Sequence, residues 1–339
     1  MEAAAALSIE VAVGTDRRQA LEAASPGHTL TFDLADTGSS LTEIRREAAR
    51  RPFAAVLGVD DETTLLASEA SRALGLPHNP PEAIRATRNK FEMRRRLEAA
   101  GRPGPSFRLV PRNVDPRQAS AEVEFPCVLK PLALSAGRGV IRADDPQGFI
   151  AAFARVSSIL DDPEVARLKG VTEHVLVEQF LSGAEFALEG LLVDGRLETL
   201  ALFDKPDPLE GPFFEETLLV TPSRGPAHLT EAVIEEARLG CRALGLADGP
   251  VHAELRLDRG RPWIVEVAAR TIGGICSRAL RFGAGVSLEE LVLRHALGRP
   301  TQDLLRERNA AGVMMMPIPR RGTLRAVRGL VATPDEDAV

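Results

Sequence analysis

The stretch that decides the reading is residues 251–270, VHAELRLDRGRPWIVEVAAR. Its two halves alternate or cluster apolar residues as strands do, and Asp258-Arg259-Gly260 between them is a turn signal. Folding Val251–Leu257 back on Trp263–Ala268 brings Glu254 and Glu266 close together, at a spacing that depends on the register of the turn. Strand residues alternate faces, so both carboxylates can point to one side. Two carboxylates aimed into one space repel unless a cation lies between them. Hard divalent ions take one or two carboxylates together with phosphate oxygens. The competing reading is two solvated glutamates on an exposed strand face.

At 339 residues the chain predicts two to three domains. Its 42 basic and 48 acidic residues leave a net charge of −6, and no basic block is long enough to hold nucleic acid. An anionic substrate must therefore be held locally, by basic side chains, backbone amides and metal. Cys127, Cys241 and Cys276 are far apart and lack metal-ligand spacing, which fits free thiols in a reducing compartment; packing is the role expected of Cys276. Residues 1–9 lack a basic n-region, and no apolar run approaches the roughly 18 residues of a membrane span. The expected location is the cytoplasm. The absence of tyrosine argues mildly against base-stacking or sugar-stacking surfaces.

The first 86 residues alternate between strand and helix patterns. Leu7–Val13 reads as a strand and Thr15–Ala24 as a helix. Ser40-Leu-Thr-Glu43 reads as a capping box opening a helix to Arg50. Phe53–Val59 is a short apolar run suited to a buried strand, and Asp60-Asp61 starts a helix ending at Gly75. This alternation predicts a small doubly wound α/β domain whose GVDDE loop lies where such folds place ligands. A helix from Pro81 to Ala100 runs into the Pro/Gly cluster at 101–105, a boundary signal. Beyond it, strands at 106–110, 125–130 and 175–180 surround a helix over about 146–157. Asp194-Gly195 marks a hairpin between Phe186–Val193 and Leu197–Phe203. A helix over 229–244 precedes the two-glutamate hairpin, and Ser287-Leu-Glu-Glu290 caps a last helix to Leu297.

Two further segments carry chemistry. FPCVLKP ends a buried strand with Lys130, and Ser135-Ala-Gly137-Arg138-Gly139 follows; small residues let backbone N–H groups approach an anion. A snorkelling surface lysine is the bland alternative for Lys130. In family order, TRNK with Lys90, Arg94 and Leu97, then FPCVLKP with SAGRGV, then VEQFLSGAEF, then HAELR and IVEVAAR resemble the ATP-grasp superfamily from about Pro80 to Gly298. The resemblance implies an N-terminal α/β domain (1–86), a linking helix and hinge (87–104), a small lid (105–180) and a C-terminal antiparallel-sheet subdomain (181–339). It implies that ATP and Mg²⁺, or Mn²⁺ in its place, are bound. Lys90, Lys130, Ser135, Gly137 and Gly139 would contact phosphates. Glu178 and the backbone of Gln179, Phe180 and Leu181 would hold the adenine, and Glu185 the ribose. Glu254 and Glu266 would ligate the metal, while Arg270 would face the transferred phosphate and Lys205, in FDKPDP, the cleft mouth. The chain departs from the family's usual Glu-x-Asn at Glu266-Val-Ala268, so one metal ligand is missing.

Within the superfamily, RTIGG (270–274) with His252-Ala-Glu254 looks most like bacterial L-amino-acid ligases and carnosine-synthase-like enzymes. That likeness implies an ADP-forming carboxylate–amine ligase working through an acyl-phosphate on small amino-acid-like substrates. Gly273 and Gly274 would border the substrate carboxylate, His252 the acyl site, and Glu215 would meet the amine. Glu69 reads as a solvated helix face. Biotin carboxylase-like or phosphoribosylamine–glycine ligase-like chemistry, and a regulatory nucleotide binder, are the alternatives. The strand-like segment near residue 314, close to the end of the chain, offers an unpaired edge that would favour a homodimer.

Overall fold

The structure is a computed structural model that describes residues 1–16, 28–34, 36–168, 170–316, 322–323 and 325–326. Strands β10 (Gly249–Asp258) and β11 (Arg261–Ala268) form the expected hairpin, closed by Arg259 (φ 50°) and Gly260 (φ 75°). Positive φ at both turn residues matches the twist of the flanking strands. The register sets Glu254 directly opposite Glu266, then shifts so that Leu255 faces Ile264 and Val265 is the extra residue of a bulge. That bulge lets Ile264 and Val267, three residues apart, enter one core and keeps Glu266 beside Glu254.

The hairpin is one edge of a six-stranded sheet ordered β11-β10-β7-β8-β9-β14, with β7 at Glu185–Val193, β8 at Arg196–Lys205, β9 at Leu218–Thr221 and β14 at Ala311–Met314. β7 is apolar nearly throughout because both of its faces are covered. Phe186, Leu188 and Leu192 pack with α4 (Pro81–Arg88), α5 (Lys90–Ala99) and α8 (Ala227–Leu244). Ala187 and Leu191 pack on the other face with α9 (Leu288–Ala296), which Ser287 caps through the Glu290 amide.

A second, four-stranded antiparallel sheet occupies the segment expected to be the lid: β3 (Phe107–Pro111), β6 (His174–Gln179), β4 (Cys127–Lys130) and β5 (Ile141–Ala143). Helices α6 (Pro116–Ser120) and α7 (Pro146–Leu160) accompany it, α7 burying Phe149, Phe153 and Val156 against it. Small strands β12 (Arg281–Phe282) and β13 (Val286–Ser287) precede α9.

The N-terminal region departs from expectation in several places. Residues 2–6 are helix α1, and the strand there is β1 (Ala12–Thr15), paired in parallel with β2 (His28–Thr31). Most of the helix expected over 15–24 lies outside the described residues. Helix α2 (Thr37–Arg50) starts before Ser40 because Asp36 is its N-cap, accepting from the Ser39 amide at 3.1 Å. Residues 53–59 are irregular rather than a strand. Phe53 and Val56 pack on Ile44, Leu66 and Ala70 while Val59 is exposed, so the apolar run reports burial without a ladder. Asp60 folds back on the Thr63 amide at 2.8 Å, which delays α3 to Thr64–Leu74.

The single helix expected over 81–100 is two helices. Asn89 leaves helical geometry (φ −116°, ψ 107°), and its side chain caps α5 by accepting from the Phe91 and Glu92 amides. The break makes Lys90 the first residue of α5 and frees its backbone N–H to bond Leu132 O, in the lid, at 2.9 Å. Among the described residues no helix is long and apolar enough to cross a membrane.

Candidate active site

On β10, Val251, Ala253 and Leu255 enter the core, so His252, Glu254 and Arg256 face the opposite way, over the cleft. Glu254 Oε1 lies 2.9 Å from Lys205 Nζ, and Glu266 Oε1 lies 3.0 Å from Lys90 Nζ. Each carboxylate therefore has a lysine at hydrogen-bond distance. Lys205 is buried with three carboxylates around its amino group, Glu185 at 2.8 Å and Glu216 at 2.5 Å being the other two. Burial disfavours its charge, but the three acids outweigh this and hold its pKa well above the usual lysine range. Glu254 is held well below the ordinary carboxylate range, Lys205 and His252 overcoming its burial. Glu216 is pushed up by burial and by the neighbouring Glu254 charge.

Glu178 anchors a second, more enclosed cluster. Its Oε1 accepts from Arg94 Nε at 2.6 Å, and its Oε2 from Lys130 Nζ at 2.6 Å. Arg94 also donates to the carbonyls of Ile264 and Val265, the bulge residues of β11. One arginine thus ties the lid strand β6 to the backbone beside Glu266. Burial works against the Glu178 charge, yet Arg94 and Lys130 bring its pKa down to about 2. Burial lowers the Lys130 pKa despite Glu178. Both Glu178 oxygens are taken by these cations, and the neighbouring backbone amides of Gln179 and Phe180 donate to Ser106 O at 2.9 Å and to Pro126 O at 3.1 Å.

Glu185 is shared between Lys205 and Arg256, whose Nε lies 2.6 Å from Oε2. Arg256 extends across the hinge to Leu181 O and to Leu209 O. Phe180 lies under the Arg142 guanidinium at 4.1 Å from the ring centroid. Arg142 also reaches Glu210 O, and its backbone N–H reaches Pro212 O, so lid strand β5 is fastened to the 206–217 loop.

The loop after β4 carries Ala136, Gly137 and Gly139 at positive φ. Gly137 packs so closely that a Cβ there would sit 2.9 Å from Phe214 O. With Phe213, Phe214 and Glu215 this loop lines a cavity of about 340 Å³. Glu215 therefore faces the lid cavity, and Glu216 is the acid beside Lys205. Ser135 belongs to the same turn, its carbonyl accepting from the Arg138 amide.

Arg270 makes a bidentate pair with Asp61 of the GVDDE loop, at 2.9 and 2.8 Å. This geometry suits a planar fork and a carboxylate. The chain beyond it exposes Gly273 and Gly274. His252 lies between Glu189, 3.7 Å from Nδ1, and Glu254, 3.6 Å from Nε2. Burial disfavours its cation, but the two carboxylates hold its pKa up at about 9. Glu69, expected on a solvated helix face, is largely covered instead: its side chain is 12% exposed and pairs with Arg85. Burial pushes the Cys127 and Cys241 thiols up to about 12 and Cys276 to about 11, so none is poised as a nucleophile.

The donor set suits Mg²⁺, because Glu254 and Glu266 are hard oxygen ligands paired across one hairpin. Ala268, at the next outward position of β11, supplies no donor. Among the described residues no three His, Cys, Asp or Glu side chains stand together as a ready-made metal cage. Phosphate oxygens or water must complete the coordination. Sequence reasoning missed Glu189, Arg256 and the partner of Arg270, and of the adjacent acids Glu215 and Glu216 it singled out Glu215. Glu189 was visible as a charge inside the otherwise apolar FALEGLLV, and Arg256 stands opposite Glu185 through the β10–β7 register, whereas the Glu216 and Asp61 pairings depend on loops folding over the sheet.

Residues 1–78 match the family model described as ATP-grasp N-terminal domain, and residues 123–279 match the ATP-grasp domain. The chain is 27% identical over 239 residues to alanine–anticapsin ligase of Bacillus subtilis (strain 168), covering 67% of this chain and 50% of that protein. It is 30% identical over 310 residues to carnosine synthase 1 of Gallus gallus, covering 85% of this chain and 33% of that one. The chain thus spans half or less of the length of these curated relatives. The crystal structure of an L-amino acid ligase from Bacillus licheniformis superposes with a TM-score of 0.78 at 26% identity, covering 96% of this chain and 78% of that chain. With both models matched in order over residues 1–78 and 123–279, the chain belongs to the ATP-grasp superfamily.

Proposed function

We propose that the protein is an ADP-forming ligase that joins the carboxylate of one amino-acid-like substrate to the amine of another. The observation that carries the reading is the cross-strand pair Glu254–Glu266, set between Lys205 and Lys90 with Arg270 and the RTIGG loop at its border. A carboxylate is a poor electrophile. Transfer of the γ-phosphoryl group to its oxygen, with departure of ADP, gives an acyl-phosphate. The amine nitrogen then attacks the acyl carbon, phosphate leaves, and the nitrogen loses a proton. Little covalent work falls to the protein, and positioning with charge neutralisation dominates.

When bound at Glu254 and Glu266, Mg²⁺ would neutralise phosphate charge. Lys90 and Lys130 would hold phosphate oxygens, and the Gln179–Leu181 backbone the adenine. Glu185 would take the ribose hydroxyls. Arg270 would exchange Asp61 for the acyl-phosphate or substrate carboxylate, for which its fork is preformed. The lid, fastened by Arg142 to the 206–217 loop, would exclude water that would otherwise hydrolyse the intermediate.

The test is ADP release from MgATP by the purified protein with pooled amino acids against none. Stimulation accompanied by amide products in the mass spectrum is the expected result. Tight MgATP binding with no stimulation by any amino-acid pool would overturn the substrate class.

A further inference from the structure

Among the described residues Glu189 is the one carboxylate with a relative exposure of 0%, and it stands on β7 of the large sheet. Its face of β7 belongs to Ala187 and Leu191, in a cluster with Phe203, Ile272 and Cys276. An ionisable group there costs free energy unless it is fully partnered. It is only half partnered. Its Oε2 accepts from the Ile272 backbone N–H at 2.9 Å, while Oε1 has no hydrogen-bond partner. Opposite it on β10 stands His252, whose buried Nδ1 also lacks a hydrogen bond and lies 3.7 Å from Oε2. Closing that gap to hydrogen-bond length needs a movement of under about 1 Å. The other ring nitrogen of His252 faces Glu254, 3.6 Å away.

A residue kept only for packing would be apolar at this position, and one kept only to satisfy the Ile272 amide could be a neutral amide. The carboxylate meets two things at once: the backbone in the middle of RTIGG, and the imidazole beside a candidate metal ligand. We infer that Glu189 is a positioning residue for the acyl site, one buried carboxylate that fixes the 270–274 loop through Ile272 and orients His252 by facing its Nδ1–H. Loop and imidazole are then held from the same point, so Arg270, Gly273 and Gly274 keep a set distance from His252 and Glu254. A substrate carboxylate lying between them would meet a preorganised surface. Glu189 itself touches no substrate.

The consequence for turnover rests on the ligase reading, whereas the contact itself does not, and the experiment separates them. In unmodified protein, ¹⁵N spectra of the histidine rings, with His252 assigned by its loss in H252Q, should show a protonated Nδ1. A pyridine-like Nδ1 would overturn the inference without any change at Glu189. Glu189→Gln keeps an acceptor for Ile272 but removes the charge. It should shift the His252 signals and lower the rate of amino-acid-stimulated ADP release about 10- to 100-fold, with the KM for MgATP within about twofold. In an H252Q background the same change should cost no further rate, because Glu189 acts through His252. Equal losses in both backgrounds, or unchanged His252 signals in E189Q, would reduce Glu189 to a packing element. If the parent protein releases no ADP with any pool, the ligase reading fails while the ring spectra still decide the contact.

Discussion

Replacing Glu178 by glutamine tests the most enclosed charge cluster of the molecule. The perturbation is nearly isosteric, so packing is kept while the charge is lost. Two routes give its size. A folded pKa of about 2 against the usual carboxylate value of about 4.5 is worth about 3–4 kcal/mol. Independently, removing one partner of a buried ion pair costs about 3–5 kcal/mol. Here Arg94 and Lys130 would both lose theirs, although Arg94 keeps the carbonyls of Ile264 and Val265. Because the folded pKa is depressed, the contribution is complete above about pH 4.5 and is lost as the pH falls toward 2. The single tryptophan, Trp263, neighbours Ile264 on β11 and gives a fluorescence signal for urea unfolding. The expected result is a loss of about 3 kcal/mol at pH 7 that narrows steadily below pH 4.5. A difference under about 1 kcal/mol at pH 7, or one unchanged in acid, would refute the reasoning.

Glu266→Gln should abolish ADP release while changing stability by no more than about 1 kcal/mol, since its pair with Lys90 is partly exposed; retained turnover would exclude Glu266 as a metal ligand. Arg142→Ala removes the side-chain bond to Glu210 O and the stack on Phe180. Hydrogen exchange across residues 206–217 should accelerate and the KM for ATP should rise, and unchanged exchange would show that the loop stands on its own. Gly183 has φ +90°, and a Cβ there would meet Leu257 O at 2.2 Å. Gly183→Ala should therefore cost about 2 kcal/mol in urea unfolding, and a neutral result would show that the 182–184 turn can relax.

What was legible in the sequence follows from what is local. The two-residue turn at Arg259-Gly260 and the apolar pattern on each side of it predict the hairpin, and the helix caps at Ser287 and Asp145 lie where short-range rules put them. The antiparallel sheets of the ATP-grasp fold follow from motif order. Three features were not legible. The Val265 bulge sets the register of Glu254 on Glu266, and a bulge has no sequence mark beyond an odd spacing of core residues. The apolar run 53–59 looks like a strand because periodicity reports burial, not pairing. The Arg270–Asp61 contact joins residues 209 positions apart, so only the packing of the N-terminal domain on the cleft could reveal it.

The charges in the cleft are already spent on one another, and this decides how an anionic nucleotide enters. Lys90 faces Glu266, Lys205 faces Glu254, Lys130 faces Glu178 and Arg270 faces Asp61. On a chain of net charge −6, a phosphate that displaced Glu254 and Glu266 from their lysines would leave two carboxylates unpaired. A divalent cation taken up by those carboxylates replaces the two lysine charges one for one. Lys90 is then available to the phosphates, while Lys205 stays between Glu185 and Glu216. Nucleotide and metal should accordingly bind with positive coupling, of the order of 1–3 kcal/mol or about 5- to 150-fold in affinity. Calorimetric titration of ADP with and without Mg²⁺ measures it directly. In E254Q/E266Q the requirement for exchange is gone, so ADP alone should bind more tightly than it does to the parent and the effect of Mg²⁺ should shrink. Equal ADP affinity with and without Mg²⁺ in the parent would mean that Lys90 reaches phosphate without leaving its carboxylate, and the exchange would be wrong.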